Sequence, residues 1–314
     1  MKNCDNILDK IKGAIYGHVI GDALGLATEF MDKAEMDRAY PHGVRFYSDM
    51  CHDSHRKRWI AGEWTDDTEM MLCIANAFIE DKGGVDLSHI ARNFKDWASD
   101  NPRGIGLNTF KVLSIGDYVE KPLEVSKLIW ELNRRQSAAN GGVMRTSVVG
   151  LFPNDVEKHA ADICRLTHYD PRCVGSCVIV SELIHSLVYD CQPLSFEKII
   201  EIADKYDERI KKFVIIAKDG ALDSLDLADE KSMGYTLKTL AVALWAYWHC
   251  TSFEEGLLTV VNAGGDADTN AAVACAILGA KFGYNSIPID YIDGLIHKDQ
   301  LEKVTSGIID YIKN

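Results

Sequence analysis

The stretch 264-GGDADTNAAVACAILGAKFG-283 decides how this chain reads. Its core, 271-AAVACAILGA-280, has no polar face, and a helix that is apolar all round belongs in a protein interior. The run falls short of the roughly 18–20 residues that a membrane span needs, so it reads as a core helix. Yet Asp266 and Asp268 stand at its mouth, behind a glycine pair. Acids at a helix start are favoured by the helix dipole and can cap it. Capping is therefore one reading of the two charges.

A second start of the same kind is 62-GEWTDDTEMMLCIANAF-78, where Thr65 is a natural N-cap and Asp66 and Asp67 fall in the first turn. One helix needs one cap, not four carboxylates across two starts. If the two starts meet, four confined negative charges repel, and a bound cation relieves them. The donors would be carboxylate oxygens with the hydroxyls of Thr65 and Thr269. Such hard ligands suit Mg²⁺ or Mn²⁺ better than Zn²⁺. Six oxygen donors with four charges suit two ions completed by water.

The rest of the chain is also helical in pattern. In 6–28, Ile7, Leu8, Ile11, Ile15, Val19 and Leu26 recur at spacings of about three and four. The same period predicts helices over 65–80, 86–100, 122–135, 155–167, 173–189, 195–217, 234–250, 253–262, 268–282, 288–297 and 299–312. Alternating strand patterns are nearly absent. No linker or solenoid repeat divides the chain, so one all-α domain over 1–314 is expected. Segment 31–62 is the least regular, and 48-SDMCHDSHRKRW-59 reads as an exposed loop. Gly and Ala recur in GAIYGHVIGDALGLA as they do in 271–280, which predicts close helix packing with the two ends of the chain side by side.

The 314 residues carry a net charge of −13 with 47% hydrophobic content. An acidic surface disfavours nucleic acid as a partner, unless the nucleic acid itself carries the group acted upon. Nine cysteines scattered among apolar residues fit reduced thiols. MKNCDNILDKIKGAI is too polar for a secretory core, so a cytoplasmic protein is expected, without a membrane span and monomeric.

Further candidates carry two readings each. Asp22 and Glu29, seven apart, share a helix face. Asp22 is a buried cap or a site residue, and Glu29 gates a site or orients a substrate hydroxyl. Asn140-Gly141-Gly142 is a plain turn or a close backbone approach to a sugar or phosphate. Gly104 and Gly106 in 103-RGIGLNTFKVL-113 are equally ambiguous. Arg145 pairs with a phosphate or with one of the many acids. His168 is a hydrogen-bonded structural residue or a site residue. Cys51, His52 and His55 lack four-ligand zinc spacing, and Cys173 and Cys177 read as packing residues.

Five pieces together resemble the ADP-ribosylglycohydrolase family: GAIYGHVIGDALGLATEF, GEWTDDTEMML, NGGVMRTSVVGLF, THYDPRCVGS and NAGGDADTNAAVACAILGAKFG. They span about residues 12 to 288 in family order. The resemblance implies a compact orthogonal helical bundle with a binuclear Mg²⁺ (or Mn²⁺) centre. It implies metal ligation by Thr65, Asp66, Asp67, Asp266, Asp268 and Thr269, with Asp268 shared between the ions. Glu29 matches a loop glutamate that contacts ribose. Ser137, Asn140, Gly141 and Gly142 match a loop holding the distal ribose and diphosphate. His168 matches a histidine near the same groups, and Gly104 and Gly106 match a loop lining the cleft. Some members carry an Asp where Gly104 stands, and its absence puts any mechanism relying on it in doubt.

The implied activity is hydrolysis at the anomeric carbon of an ADP-ribosyl group on a modified protein or small acceptor, with arginine favoured. Asp67 or Asp268 would take the water's proton and Glu29 would assist. A catalytically silent binding protein like the lens crystallins of the family is the alternative. So is a metal-dependent phosphoesterase, which would release AMP rather than ADP-ribose. Segments 31–62 and 100–112 are where acceptor choice would lie.

Overall fold

The computed structural model describes residues 2–190 and 192–313, with side chains described from residue 6 onward. The architecture is all-α, with no strand among the described residues. Fifteen α-helices follow one another: α1 (Lys2–Gly25), α2 (Lys33–Ala39), α3 (Asp66–Glu80), α4 (Leu87–Ser99), α5 (Leu107–Leu113), α6 (Pro122–Leu132), α7 (Val156–Arg165), α8 (Pro171–Tyr189), α9 (Phe196–Tyr206), α10 (Glu208–Asp219), α11 (Thr236–His249), α12 (Phe253–Val261), α13 (Ala267–Phe282), α14 (Ile289–Asp293) and α15 (Lys298–Lys313).

The centre is α1 against α13, with α8 and α11 beside them. In α13 every residue from Ala267 to Ala280 is buried. The two central helices run antiparallel along a glycine ridge. A Cβ on Gly13, Gly17 or Gly21 would lie 2.2 Å from the carbonyl oxygen of Gly279, Cys275 or Ala271 respectively, and one on Gly25 would lie 2.5 Å from that of Ala267. Four glycines at a spacing of four form one face of α1, so the backbones touch. This contact carries the end of α1 to the start of α13, and so brings Asp22 and Glu29 to the two aspartates of the opening stretch.

The structure departs from several sequence expectations. Residues 195–217 are two helices, because Asp207 turns the chain and caps α10 by accepting from Arg209 N at 2.9 Å. Segment 31–62 contains the short helix α2, whose Asp32 and Glu35 form a capping box. The stretch 48–59 is not simply an exposed loop. Arg56 is 3% exposed and donates from Nε to the carbonyls of Leu26 and Ala27, and from Nη2 to that of Glu29. It thus ties down the turn that follows α1 and carries Glu29. No run of membrane-spanning length was expected, yet among the described residues one helix, α8, is at 19 residues long and apolar enough to cross a bilayer; 83% of its apolar stretch is buried inside the protein, which makes it a core helix. The seven described cysteines are free thiols.

Candidate metal centre and cleft

The glycine pair of the opening stretch explains its own position. Gly264 and Gly265 both have φ of +69°, and a Cβ on Gly265 would lie 2.3 Å from the Leu227 carbonyl. Only glycine fits so close a passage in the left-handed region. Gly265 pairs with Met31, and its carbonyl accepts from Phe30 N at 2.6 Å. The start of α13 is thereby tied to the turn that carries Glu29.

Capping accounts for only one of the four acids' neighbours. Thr65 caps α3, accepting from Asp67 N at 3.4 Å. Asp266 occupies the cap position of α13 but makes no capping bond. Its Oδ2 instead accepts from Asn140 Nδ2 at 2.6 Å. Across the gap between the two helix starts, Thr269 Oγ1 donates to Asp67 Oδ1 at 3.3 Å. Carboxylate oxygens of Glu29, Asp266 and Asp268 all lie within 4.8 Å of one another. Asp67 Oδ2 and Asp268 Oδ1 are buried with no hydrogen-bond partner. Buried carboxylate oxygens without donors are costly, and a cation is the partner that such a donor set fits.

Asp22 stands behind this cluster rather than in it. Fully buried, it accepts from Thr65 N at 3.0 Å and Oγ1 at 2.8 Å, and from Thr68 N at 3.0 Å and Oγ1 at 2.6 Å. The bond from Thr65 points that hydroxyl's proton at Asp22 and leaves a lone pair for another partner. Asp22 is thus a strut between α1 and the start of α3. Asp22→Asn keeps the shape but sets an NH₂ group against donors. It is expected to cost about 2 kcal/mol of stability, measurable by urea unfolding; an unchanged midpoint would remove the strut role.

Burial and mutual repulsion push these acids up. Burial raises Asp22 to about 6 against the hydrogen bonds it accepts. Burial, then the charges of Glu29 and Asp22, raise Asp66 to about 7. Burial, with Glu29 next, raises Asp266 to about 6. Burial and neighbouring carboxylates carry Asp67 and Asp268 well above the ordinary value of 3.8. A carboxyl raised on folding contributes its stability fully below its unfolded value and loses it as pH rises through the folded one. Without a cation the cluster should therefore weaken the fold progressively from about pH 4 to 7. Stabilisation by a divalent cation, tested here with Mg²⁺, should grow over the same window, because a bound ion would replace protons. Thermal unfolding in EDTA and in Mg²⁺ at pH 5 and 7.5 checks this. Exposed acids contribute alike to both arms, so an equal Mg²⁺ shift at the two pH values would contradict it.

The cluster forms one end of a cleft with a volume of about 830 Å³, within the range of small-molecule sites. Glu29, Thr65, Asp66, Asp67, Asp266, Asp268 and Thr269 line that end, and Gly104, Gly106, Ser137, Asn140, Gly141 and His168 line the remainder. A Cβ on Gly104 would lie 2.8 Å from Asp66 Oδ1, so the missing side chain leaves room for Asp66. Asn140 is committed to Asp266 and Thr239. Gly142 is not a lining residue: it faces Cys164 and Cys177, where a Cβ would lie 2.9 and 3.4 Å from the sulfurs. Arg145 meets neither an acid nor the cleft and is fully buried.

Within segment 31–62, expected at the cleft rim, the sequence did not single out the residues that form the wall. His55 Nε2 lies 2.6 Å from Glu29 Oε2, and the Arg58 guanidinium stacks 4.5 Å from the Trp59 ring. His55, Arg58 and Trp59 all line the cleft. Cys51 Sγ faces Asp53 rather than a histidine. The density of His, Arg and Trp in 52-HDSHRKRW-59 was the available signal.

The ADP-ribosylglycohydrolase family model matches residues 3–314. An ADP-ribosylarginine hydrolase, Tri1 of Serratia proteamaculans, is 26% identical over 96% of this chain and 79% of its own length. The ADP-ribosyl-[dinitrogen reductase] glycohydrolase of Rhodospirillum rubrum is 28% identical over 95% of this chain and 94% of its own. A solved ADP-ribosylglycohydrolase-related protein complex superposes with a TM-score of 0.74 at 25% identity, covering 98% of this chain and 99% of that one.

Proposed function

The chain belongs to the ADP-ribosylglycohydrolase family and is a glycosidic-bond hydrolase, and within that family we propose that it cleaves ADP-ribose from arginine side chains of modified proteins, with Mg²⁺ as cofactor. The observation that carries this reading is the meeting of two helix starts some two hundred residues apart, with unpartnered oxygens on Asp67 and Asp268 at one end of a deep cleft. The name of the Serratia relative supports arginine as the acceptor.

Thr65, Asp66, Asp67, Asp266, Asp268 and Thr269 would hold two Mg²⁺ ions, Mn²⁺ being the substitute of like chemistry. When bound there, the ions would supply charge to hold distal-ribose hydroxyls and to make a water nucleophilic. Gly104, Gly106, Ser137, Gly141 and His168 would fix the rest of the ADP-ribosyl group so that its anomeric carbon faces that water. Water oxygen bonds to the anomeric carbon as the carbon–nitrogen bond to arginine breaks. A carboxylate oxygen of Asp268 or Asp67 accepts the water's proton, and the departing guanidine nitrogen takes up a proton. Glu29, steadied by His55, orients the 2″-hydroxyl. The products are ADP-ribose and unmodified arginine.

The test is incubation with ADP-ribosylated arginine and serine peptides, with Mg²⁺ or EDTA, and mass spectrometry of the products. Metal-dependent ADP-ribose from the arginine peptide is expected. Release from serine alone would move the acceptor, AMP would make the reaction a phosphoester cleavage, and equal release in EDTA would remove the metal.

A further inference from the structure

Arg145 has no task in the mechanism above. It is fully buried, makes no ion pair with a described carboxylate, and lies 4.4 Å from the centre of the Phe94 ring. A buried guanidinium without a counter-charge is expensive, so the partners it does have are informative. Nη1 faces Met70 Sδ at 3.7 Å. Nη2 donates to the Ile163 carbonyl at 3.3 Å and to Thr167 Oγ1 at 2.7 Å. Thr167 Oγ1 in turn lies 2.8 Å from His168 Nδ1.

The direction of each bond follows from the donor inventory. A guanidinium only donates, so the Thr167 oxygen accepts from Arg145. The single hydroxyl proton of Thr167 then has His168 Nδ1 as its acceptor. The reverse arrangement, with Nδ1–H donating to Thr167, would leave the buried hydroxyl proton with no acceptor. Nδ1 therefore carries no proton, and the neutral ring carries its proton on Nε2. No described residue makes a hydrogen bond to Nε2, and His168 lines the cleft. Gly141 keeps that edge open, since a Cβ there would lie 2.8 Å from Cε1 and 3.1 Å from Nε2.

We propose that Arg145 and Thr167 are positioning residues that lock His168 as a neutral Nε2–H donor, aimed into the cleft at an oxygen of the ADP-ribosyl group. The ligand half of this proposal rests on the hydrolase reading above; the tautomer half does not. Burial, with the Arg145 charge behind the ring, also lowers His168 to about 3, which keeps it neutral wherever the enzyme would be assayed. A neutral donor binds its acceptor without exchanging a proton, so His168 serves binding rather than acid–base chemistry.

The test uses the full chain labelled with ¹⁵N-histidine, the His168 signals being assigned by their loss in His168→Gln. Long-range ¹⁵N–¹H spectra of the wild type should give the Nε2–H tautomer. Thr167→Val should release it to Nδ1–H or a mixture. The same variant should raise KM for the ADP-ribosylated arginine peptide on the order of tenfold, the scale of one hydrogen bond to a charged acceptor, with kcat little changed. Thr167→Ser should restore both. An Nδ1–H wild type overturns the proposal, as does a Thr167→Val protein with an unmoved tautomer. A moved tautomer with an unmoved KM overturns its ligand half. The wild-type spectrum decides the tautomer even if a variant fails to fold. Failure of the wild type to release ADP-ribose would count against the hydrolase reading, while the spectra still decide the relay.

Discussion

Asp268→Asn is expected to lower ADP-ribose release by about 10²–10³-fold, and to leave the metal-free protein at least as stable as the wild type. The two halves of this result come from one cause. Asp268 is 4% exposed, and its Oδ1 has no protein partner. Burial and the charges of Glu29, Asp67 and Asp266 oppose its ionisation. Asn has the same shape without the charge, so it removes repulsion that the fold otherwise bears. It also removes a charge that the metal centre would need, and losses of about 10²–10³ are typical when one preorganised group is removed from an active site. Were Asp268 only a helix-start residue, Asn would serve as well and activity would survive. Turnover in Mg²⁺ and thermal unfolding in EDTA separate the cases. Residual turnover above about a tenth of wild type would return Asp268 to a structural role, and such an outcome would not fit a site residue.

Gly21→Ala should destabilise the protein by about 3 kcal/mol, at the upper end of the usual cost of overpacking a core. The sign makes the test sharp. In an exposed helix the same change stabilises by up to about 1 kcal/mol, because Ala is the better helix former. Here the added Cβ would lie 2.2 Å from the Ala271 carbonyl oxygen and 2.8 Å from Ala272 N. Backbone cannot rotate away as a side chain would, so α1 and α13 must separate. Asp22 and the turn carrying Glu29 lie at the end of α1, and Asp266 and Asp268 at the start of α13. Separation should therefore weaken Mg²⁺ binding as well as stability. Urea unfolding and Mg²⁺ titration measure the two effects. A neutral or stabilising Gly21→Ala would mean that the helices do not pack on this ridge.

Periodicity in the sequence carried most of the helices, but with limits that have physical causes. Helices α2 and α5, of seven residues each, are too short to show two turns of an apolar stripe. The join of α9 to α10 lay hidden because both helices present apolar residues at the same period, and only the Asp207 cap breaks them. The glycines at 13, 17, 21 and 25 were visible as a composition, yet their spacing of four already described a face. Arg145 could not be placed from sequence, since nothing adjacent to it indicates that its partners are Thr167 and the Phe94 ring.

The sequence by itself determined that the protein is a helical one with an apolar central helix, and that acids and threonines cluster at two helix starts. Both follow from local rules: the 3.6-residue period sorts apolar from polar faces, and caps and charges mark helix ends. The tertiary structure alone decided what each acid does. The sequence offered Asp22 as a buried cap and Glu29 as a site residue at the helix end; α1 ends at Gly25, so Glu29 turns into the carboxylate cluster while Asp22 accepts from Thr65 and Thr68. The partner of a buried polar atom is set by segments that meet in space, here 43 residues apart for Asp22 and Thr65 and 202 for Asp67 and Thr269. Which oxygens keep a free lone pair is a property of those meetings, and no local pattern encodes it.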